Sequence, residues 1–249
     1  MKQQEFLLEN YSSFNLRDIF ECGQCFRWNK EEDGSYTGVF ANNVINVSKT
    51  TKGIYFKGVC EKDIVNTVID YFDLDRDYNE IKRTLAKVDN NMKESIRYGE
   101  GIRILNQDLW EMIISFIVSA NNNIPRIKGI IERLSKKYGK KIEFNNKKYY
   151  TFPTVEELKD VSVEEYRELG LGFRDIRLYE TTKMILNKDV DISKLNEIKD
   201  TNQVRDELLK LSGVGPKVAD CILLFSTLKR FDVFPIDVWV RRVMNDLYI

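Results

Sequence analysis

Between Tyr36 and Val59 the chain alternates in short runs, YTGVF, NVINV and GIYFKGV, broken by Asn42-Asn43 and by a turn ending at Gly53. β-Branched and aromatic residues at two-residue spacing between turn signals predict an antiparallel sheet. From Glu61 onward the period lengthens: Ile64, Val65, Val68, Ile69 and Phe72 share one helical face, as do Leu109, Ile113, Phe116 and Ile117. Asn121-Asn122-Asn123 interrupts a helix pair, Pro125 stands near the start of the next helix, and Lys141 to Tyr150 suggests a short hairpin before Pro153. Thr154 before EELKD and Ser162 before EEYREL place capping hydroxyls ahead of acidic first turns, so both predict helix starts. Leu169-Gly170-Leu171-Gly172 ends the second of these, and FRDIRLYETTKMIL resumes helical spacing. The expected fold class is α+β, an N-terminal antiparallel β-sheet domain with helices over residues 1–100 followed by an all-α domain over residues 101–249.

With 249 residues, 43% of them hydrophobic, the chain can bury an ample core. No apolar run approaches the roughly 20 residues that span a membrane, and MKQQEFLLENYSSF lacks the basic-then-apolar order of a signal peptide. A cytoplasmic monomer is expected. Cys22 and Cys25 form a CxxC in ECGQC, but no histidine occurs anywhere, so a zinc site would have to gather all four cysteines from distant segments. Reduced, mostly buried thiols and no metal or organic cofactor are the expectation. Without histidine, acid-base or nucleophilic work falls to carboxylate, lysine, cysteine or hydroxyl. The 39 basic and 39 acidic residues cancel, which argues weakly against a nucleic-acid partner, yet Arg126, Lys128, Arg133, Lys136, Lys137, Lys140 and Lys141 crowd a span in which Glu132 is the only acid. That cluster fits a solvated helix face as readily as a nucleic-acid contact.

The strongest chemical signal runs from Leu211 to Trp239. VRDELLKL predicts a helix, SGVG a tight glycine turn, and PKVADCILLFSTL a second helix with proline at its first position. Gly213 and Gly215 let backbone approach a ligand closely, and the free N–H groups that open the second helix suit a phosphate. A plain antiparallel helix pair fits the pattern too. Lys217 stands in the first turn of that second helix, where the dipole favours its neutral amine over the ammonium, the form able to make a Schiff base. A phosphate-contacting or surface lysine is the alternative. Asp237, in FPIDVW, either caps the final helix or stabilises positive charge developing on a sugar as a glycosidic bond breaks.

These residues resemble the helix-hairpin-helix DNA glycosylases that carry a glycine/proline-rich loop and an aspartate, and most closely the 8-oxoguanine DNA glycosylases. LSGVGPKVADC and FPIDV match the family's catalytic hairpin and aspartate loop, GIRILNQDLWEMIISFIVSANNNIPRI the helix leading into its asparagine-rich loop, and LGLGFR and ECGQCFRW also have counterparts. The resemblance covers essentially the whole chain. It implies Lys217 as the nucleophile that attacks the deoxyribose C1′, Asp237 as its assistant, and lyase action on the abasic site. Because C1′ is inaccessible in a stacked duplex, the lesion would be flipped into a pocket.

The resemblance further implies Phe173 as an aromatic wedge, with Arg174, Asn121 and Arg126 contacting the opposite cytosine. Phe173 as core and Asn121 as a plain turn residue are the alternatives. It implies that the carbonyl of Gly23 accepts from the N7–H that oxidation of guanine creates, that Cys221 packs against the flipped base, and that Gln24 and Phe26 shape the pocket wall, unless Phe26 and Trp28 are β-domain core. The expected partner is double-stranded DNA containing 8-oxoguanine opposite cytosine.

Two departures stand out. Trp239 lies where relatives commonly carry a phosphate-touching histidine, and the chain stops at Ile249 inside the helix after Asp237, whereas relatives continue through helices that line the base pocket. A truncated chain or a more open pocket follows. Rival readings are a glycosylase for alkylated bases, which typically lacks the hairpin lysine; an iron–sulfur glycosylase, for which no cysteine follows Cys221; a non-catalytic DNA-binding module; and a structural helical domain.

Overall fold

In the computed structural model, which describes every residue except Met1, Asn10 and Ser12, the alternating segment forms a sheet. Its strands are Lys2–Glu9 (β1), Trp28–Lys30 (β2), Tyr36–Phe40 (β3), Asn43–Lys49 (β4) and Gly53–Cys60 (β5), in the order β1-β5-β4-β3-β2, each neighbouring pair antiparallel. Ala41 and Asn42 take φ of 45° and 63°, as a two-residue β-hairpin turn requires. The sequence pattern predicts β3, β4 and β5 but neither edge strand. β1 is only partly buried along its length and β2 has three residues, so neither carries a clear alternation.

Helices Leu16–Phe20 (α1), Ile64–Tyr71 (α2), Tyr78–Leu85 (α3) and Asn90–Tyr98 (α4) accompany the sheet, and Leu109–Ser119 (α5) and Ile124–Tyr138 (α6) follow. The expected hairpin is Lys141–Phe144 (β6) with Lys147–Tyr150 (β7), turned by Asn145 and Asn146 at φ of 49° and 60°. Beyond it come Val163–Glu168 (α7), Asp175–Leu186 (α8), Thr201–Leu209 (α9), Pro216–Phe225 (α10) and Val238–Tyr248 (α11). Ser162 and Glu165 make the anticipated capping box at α7. Thr154 bonds the backbone of Glu157, but the turn it opens is only the 3₁₀ segment Glu156–Leu158, because Ser162 restarts the chain almost at once. Among the described residues no helix is long and apolar enough to cross a membrane.

The chain divides into two compact units: residues 1–106 with 239–249, and residues 107–238. In the first, Phe20 stacks on Trp28 at 4.1 Å and Phe40 on Tyr71 at 3.7 Å, while the indole N–H of Trp28 donates to the Tyr71 hydroxyl at 2.9 Å. The core thus buries large rings with their polar atoms satisfied. Arg103, 1% exposed, spends its guanidinium on the carbonyls of Phe72, Ser13 and Asp73 and lies 4.0 Å from the Tyr78 ring centroid. In the second unit α5 is buried on every side from Leu109 to Val118, beyond the single apolar face read from its sequence, because α6, α8 and α10 all pack on it.

Trp28 pairs with Gly38 across β2 and β3, and a Cβ at Gly38 would lie 2.2 Å from the indole Cδ2. A rigid, fully buried indole cannot retreat. Gly38→Ala is therefore expected to destabilise the protein by about 1–3 kcal/mol, a typical overpacking cost, read as a lower urea midpoint.

Candidate active site

The hairpin Leu211–Gly215 joins α9 to α10. The Val214 N–H bonds the Leu211 carbonyl at 3.1 Å, and Gly213 adopts φ +84°, the left-handed region that favours glycine. A Cβ at Gly213 would come within 2.8 Å of Arg177 Cδ and 3.2 Å of Ile117 Cγ2, so the turn is both conformationally and spatially restricted. Gly215 is the extended N-cap of α10, no side chain caps that end, and nothing lies within 4 Å of where its Cβ would be. Open space beside uncapped N–H groups is the arrangement that binds an anion. From α8, Thr181 donates to the Ser212 carbonyl at 2.9 Å, and the Ser212 hydroxyl donates to Glu180 at 2.5 Å.

Lys217 and Cys221 stand one turn apart on α10. The Lys217 Nζ lies 5.5 Å from the ring centroid of Phe116, itself stacked on Phe225. Cys221 is 3% exposed, and burial pushes its thiol up, opposed by the charge of Lys217 and a hydrogen bond with it; Asp220 and Asp237 add smaller upward pushes. Lysine, thiol and the Asp237 carboxylate therefore share one electrostatic neighbourhood. The structure sets the expected nucleophile one turn from the expected base-packing cysteine, and the charge of Asp237 is felt at that thiol.

Asn121, exposed with φ 51°, opens the asparagine loop between α5 and α6. Asn122 anchors it by donating to the Val118 carbonyl at 3.0 Å, and Asn123 caps α6 by accepting from the Arg126 N–H at 3.0 Å. Arg126 is exposed and donates to the Gly170 carbonyl at 3.2 Å. Phe173 is 54% exposed, which sets aside its reading as core. Arg174 differs: at 1% exposed, it donates to the carbonyls of Ala120 at 2.9 and 2.5 Å, Asn121 at 2.8 Å and Leu171 at 3.1 Å. It clamps the asparagine loop to the segment around Phe173.

In the first unit, Gly23 has φ +88° and open space where a Cβ would point. In the chain as it stands, glycine is required there by the backbone conformation rather than by crowding. Gln24, 1% exposed, donates to the carbonyls of Ile19 at 2.9 Å and Arg103 at 2.8 Å and accepts from the Leu105 N–H at 2.9 Å, which pins the Gly23 loop. Phe26 is buried, and so is Trp28, in the aromatic core. Trp239 is 70% exposed, with the Arg242 guanidinium 5.0 Å from its ring centroid. All four cysteines are free thiols, Cys22 exposed and the others buried.

Two family models match. The 8-oxoguanine DNA glycosylase N-terminal domain covers residues 6–113, and the HhH-GPD superfamily of base excision DNA repair proteins covers residues 114–249. The chain belongs to the HhH-GPD superfamily. Similar to it among solved members is the 8-oxoguanine glycosylase/lyase of Clostridium acetobutylicum, 42% identical with a TM-score of 0.93, matched over 99% of this chain and 86% of that one in its apo form. The same protein in complex with double-stranded DNA containing cytosine opposite 8-oxoguanine matches over 100% and 86%, again with a TM-score of 0.93. A probable N-glycosylase/DNA lyase of Methanothermobacter thermautotrophicus is 35% identical over 197 residues, 71% of this chain. The chain spans 62% of the length of that relative.

Sequence reasoning missed the superfamily member's internal struts, Arg177, Glu180 and Thr181, which brace Phe173 and the hairpin from α8. Their three- and four-residue spacing was legible, but nothing local says which helix face meets a turn more than thirty residues on. The basic cluster also reads differently in three dimensions. Lys137 pairs with Glu165 and Glu168 at 3.5 and 3.7 Å, Lys140 with Glu157 at 3.6 Å, and Arg133 donates to the Leu169 carbonyl at 2.8 Å, so much of it is engaged internally. Arg174→Met would leave buried carbonyls of the loop without a donor. It is expected to cost about 2–3 kcal/mol in urea unfolding and to raise amide exchange across residues 119–123, whereas an arginine standing free for a base would change neither.

Proposed function

We propose that this chain excises 8-oxoguanine from duplex DNA and then nicks the abasic site. On this reading the lesion leaves the stack, the Lys217 amine attacks C1′, and the bond from C1′ to the base breaks as the base departs with the proton that the amine gives up. Asp237 offsets the positive charge that develops on the sugar. Ring opening gives an imine between Lys217 and C1′; loss of a C2′ proton and cleavage of the C3′–O bond complete β-elimination. Cys221 lies against the base, Gly23 offers its carbonyl to the N7–H, Gln24 holds the Gly23 loop, and Phe26 backs that loop. Phe173 fills the gap in the stack, Gly213 and Gly215 bring hairpin amides to a phosphate, and Trp239 gives one indole N–H to another. No metal or organic cofactor enters these steps. The substrate-handling work divides between an N-terminal part, residues 1–100, and a helical part, residues 101–249, in a monomer acting in the cytoplasm, and at the nucleoid in a bacterial or archaeal host.

What supports this reading is the likeness along the entire chain to 8-oxoguanine glycosylase/lyases, with Lys217 one turn from Cys221 on α10 and the charge of Asp237 felt at that thiol. Borohydride reduction during reaction with an 8-oxoguanine duplex is expected to give a covalent protein–DNA adduct that disappears in Lys217→Gln. Persistence of trapping and nicking in that variant would remove the lysine from its role; binding without base release would leave a DNA-binding module.

The exposed Arg126 beside Asn121 supports a preference for cytosine opposite the lesion, since guanidinium and amide donors suit cytosine's acceptors. Single-turnover excision is expected to run faster opposite cytosine than opposite adenine, and Arg126→Ala to narrow that ratio. Equal rates opposite all four bases in the unaltered protein would overturn the preference.

A further inference from the structure

We propose that Arg177 is a ligand for a phosphodiester of bound duplex DNA, placed on α8 so that its guanidinium grips the backbone between the ring of Phe173 and the hairpin turn at Gly213. The inference rests on the DNA-acting reading above and adds a contact to it.

Geometry comes first. The stem of Arg177 lies on the bare face of Gly213, with Cδ 2.8 Å and Cβ 3.1 Å from where a Gly213 Cβ would stand. Its Cζ lies 5.1 Å from the Phe173 ring centroid, so the side chain runs from the turn to the exposed ring. The glycine therefore serves two purposes: it permits the left-handed turn and gives passage to an arginine stem. The guanidinium ends beside the ring, and the stem starts at the turn that leads into the uncapped start of α10.

Charge comes second. Arg126, Arg174 and Arg177 lie close enough that, after burial, the other two arginines are what hold the Arg174 guanidinium below its usual range. Among the described residues neither Arg126 nor Arg177 forms an ion pair, Asp175 is taken by Arg167 at 2.7 Å, and Glu180 accepts from Ser212 instead. Arg174 is bound to carbonyls, and Arg126 gives one N–H to Gly170. Like charges gathered without a counter-ion beside a solvent-facing aromatic ring are a poor arrangement for stability alone and a good one for a polyanion. A planar guanidinium matches phosphate oxygens in pairs, and its stem, already packed on Gly213, loses little freedom on binding.

The test uses the salt dependence of binding to an undamaged duplex, followed by fluorescence anisotropy, for the unaltered protein and for Arg177→Met, Arg177→Gln and Arg177→Lys. Each phosphate neutralised contributes about 0.9 to the slope of log K against log salt. Methionine, which keeps the stem, and glutamine, which keeps polarity, are both expected to lower that slope by about 0.9 and to weaken binding by about tenfold near 0.1 M salt. Lysine should retain the slope. An unchanged slope in a folded methionine or glutamine variant overturns the proposal even if affinity falls, because packing on Gly213 alone would then be its role. If the unaltered protein excises 8-oxoguanine while the slopes stay equal, the phosphate contact fails and the glycosylase reading stands. If the unaltered protein neither binds duplex nor excises the lesion, both fall together.

Discussion

At Gly213 the backbone turns with φ +84° against the stem of Arg177 and a methyl of Ile117, where a side chain has neither a comfortable conformation nor space. The direction in which α10 leaves the turn follows from this, and with it the placement of Lys217 in its first turn and Cys221 one turn later. Proline at the first helical position lacks only an N–H that would have no partner within the helix, and its ring fixes a φ suited to the helix start. Thr181 and Glu180 hold the turn from α8, and α10 packs on the wholly buried α5, which presents Phe116 to the lysine. A lysine on a mobile loop would sample many positions; here the supporting contacts come from helices on several sides.

Two buried arginines do the equivalent work for irregular backbone. Arg103 collects the carbonyls of Phe72, Asp73 and Ser13 in the first unit, and Arg174 those of Ala120, Asn121 and Leu171 in the second. Loops leave carbonyls that no helix or strand satisfies, and a guanidinium supplies several donors in a fixed plane. Removing such a charge from water is costly, and for both residues burial holds the guanidinium below its usual range. The carbonyls recover part of that cost. Each arginine stabilises the shape of its loop as well as the total fold.

The helical periodicities, the β3–β4–β5 meander, the Asn145-Asn146 hairpin and the glycine turn were legible because each is a local pattern with a local cause. β1 was not, since an edge strand alternates weakly, and the full burial of α5 was not, since three partners reach it from remote segments. At the site, the spacing of Lys217 and Cys221 fixes their shared face, whereas the reach of the Asp237 charge to Cys221 depends on how the chain returns after α10. Arg174 shows the limit most sharply. Resemblance implied a residue that reaches for the opposite base, and in the structure its side chain donates four hydrogen bonds to the backbone carbonyls of Ala120, Asn121 and Leu171. No feature of LGLGFR distinguishes a reader from a clamp until the fold says where the side chain points.

Arg174 sets the backbone of the asparagine loop from beneath, and Asn121 supports the same conformation by tolerating the left-handed φ of 51° at which the loop opens. Loop shape rests on these two residues and not on the exposed Arg126. On the proposed reading, opposite-strand preference can therefore be redesigned at the exposed Arg126, in a library that holds Arg174 and Asn121 constant, so that no variant has to find the loop conformation again.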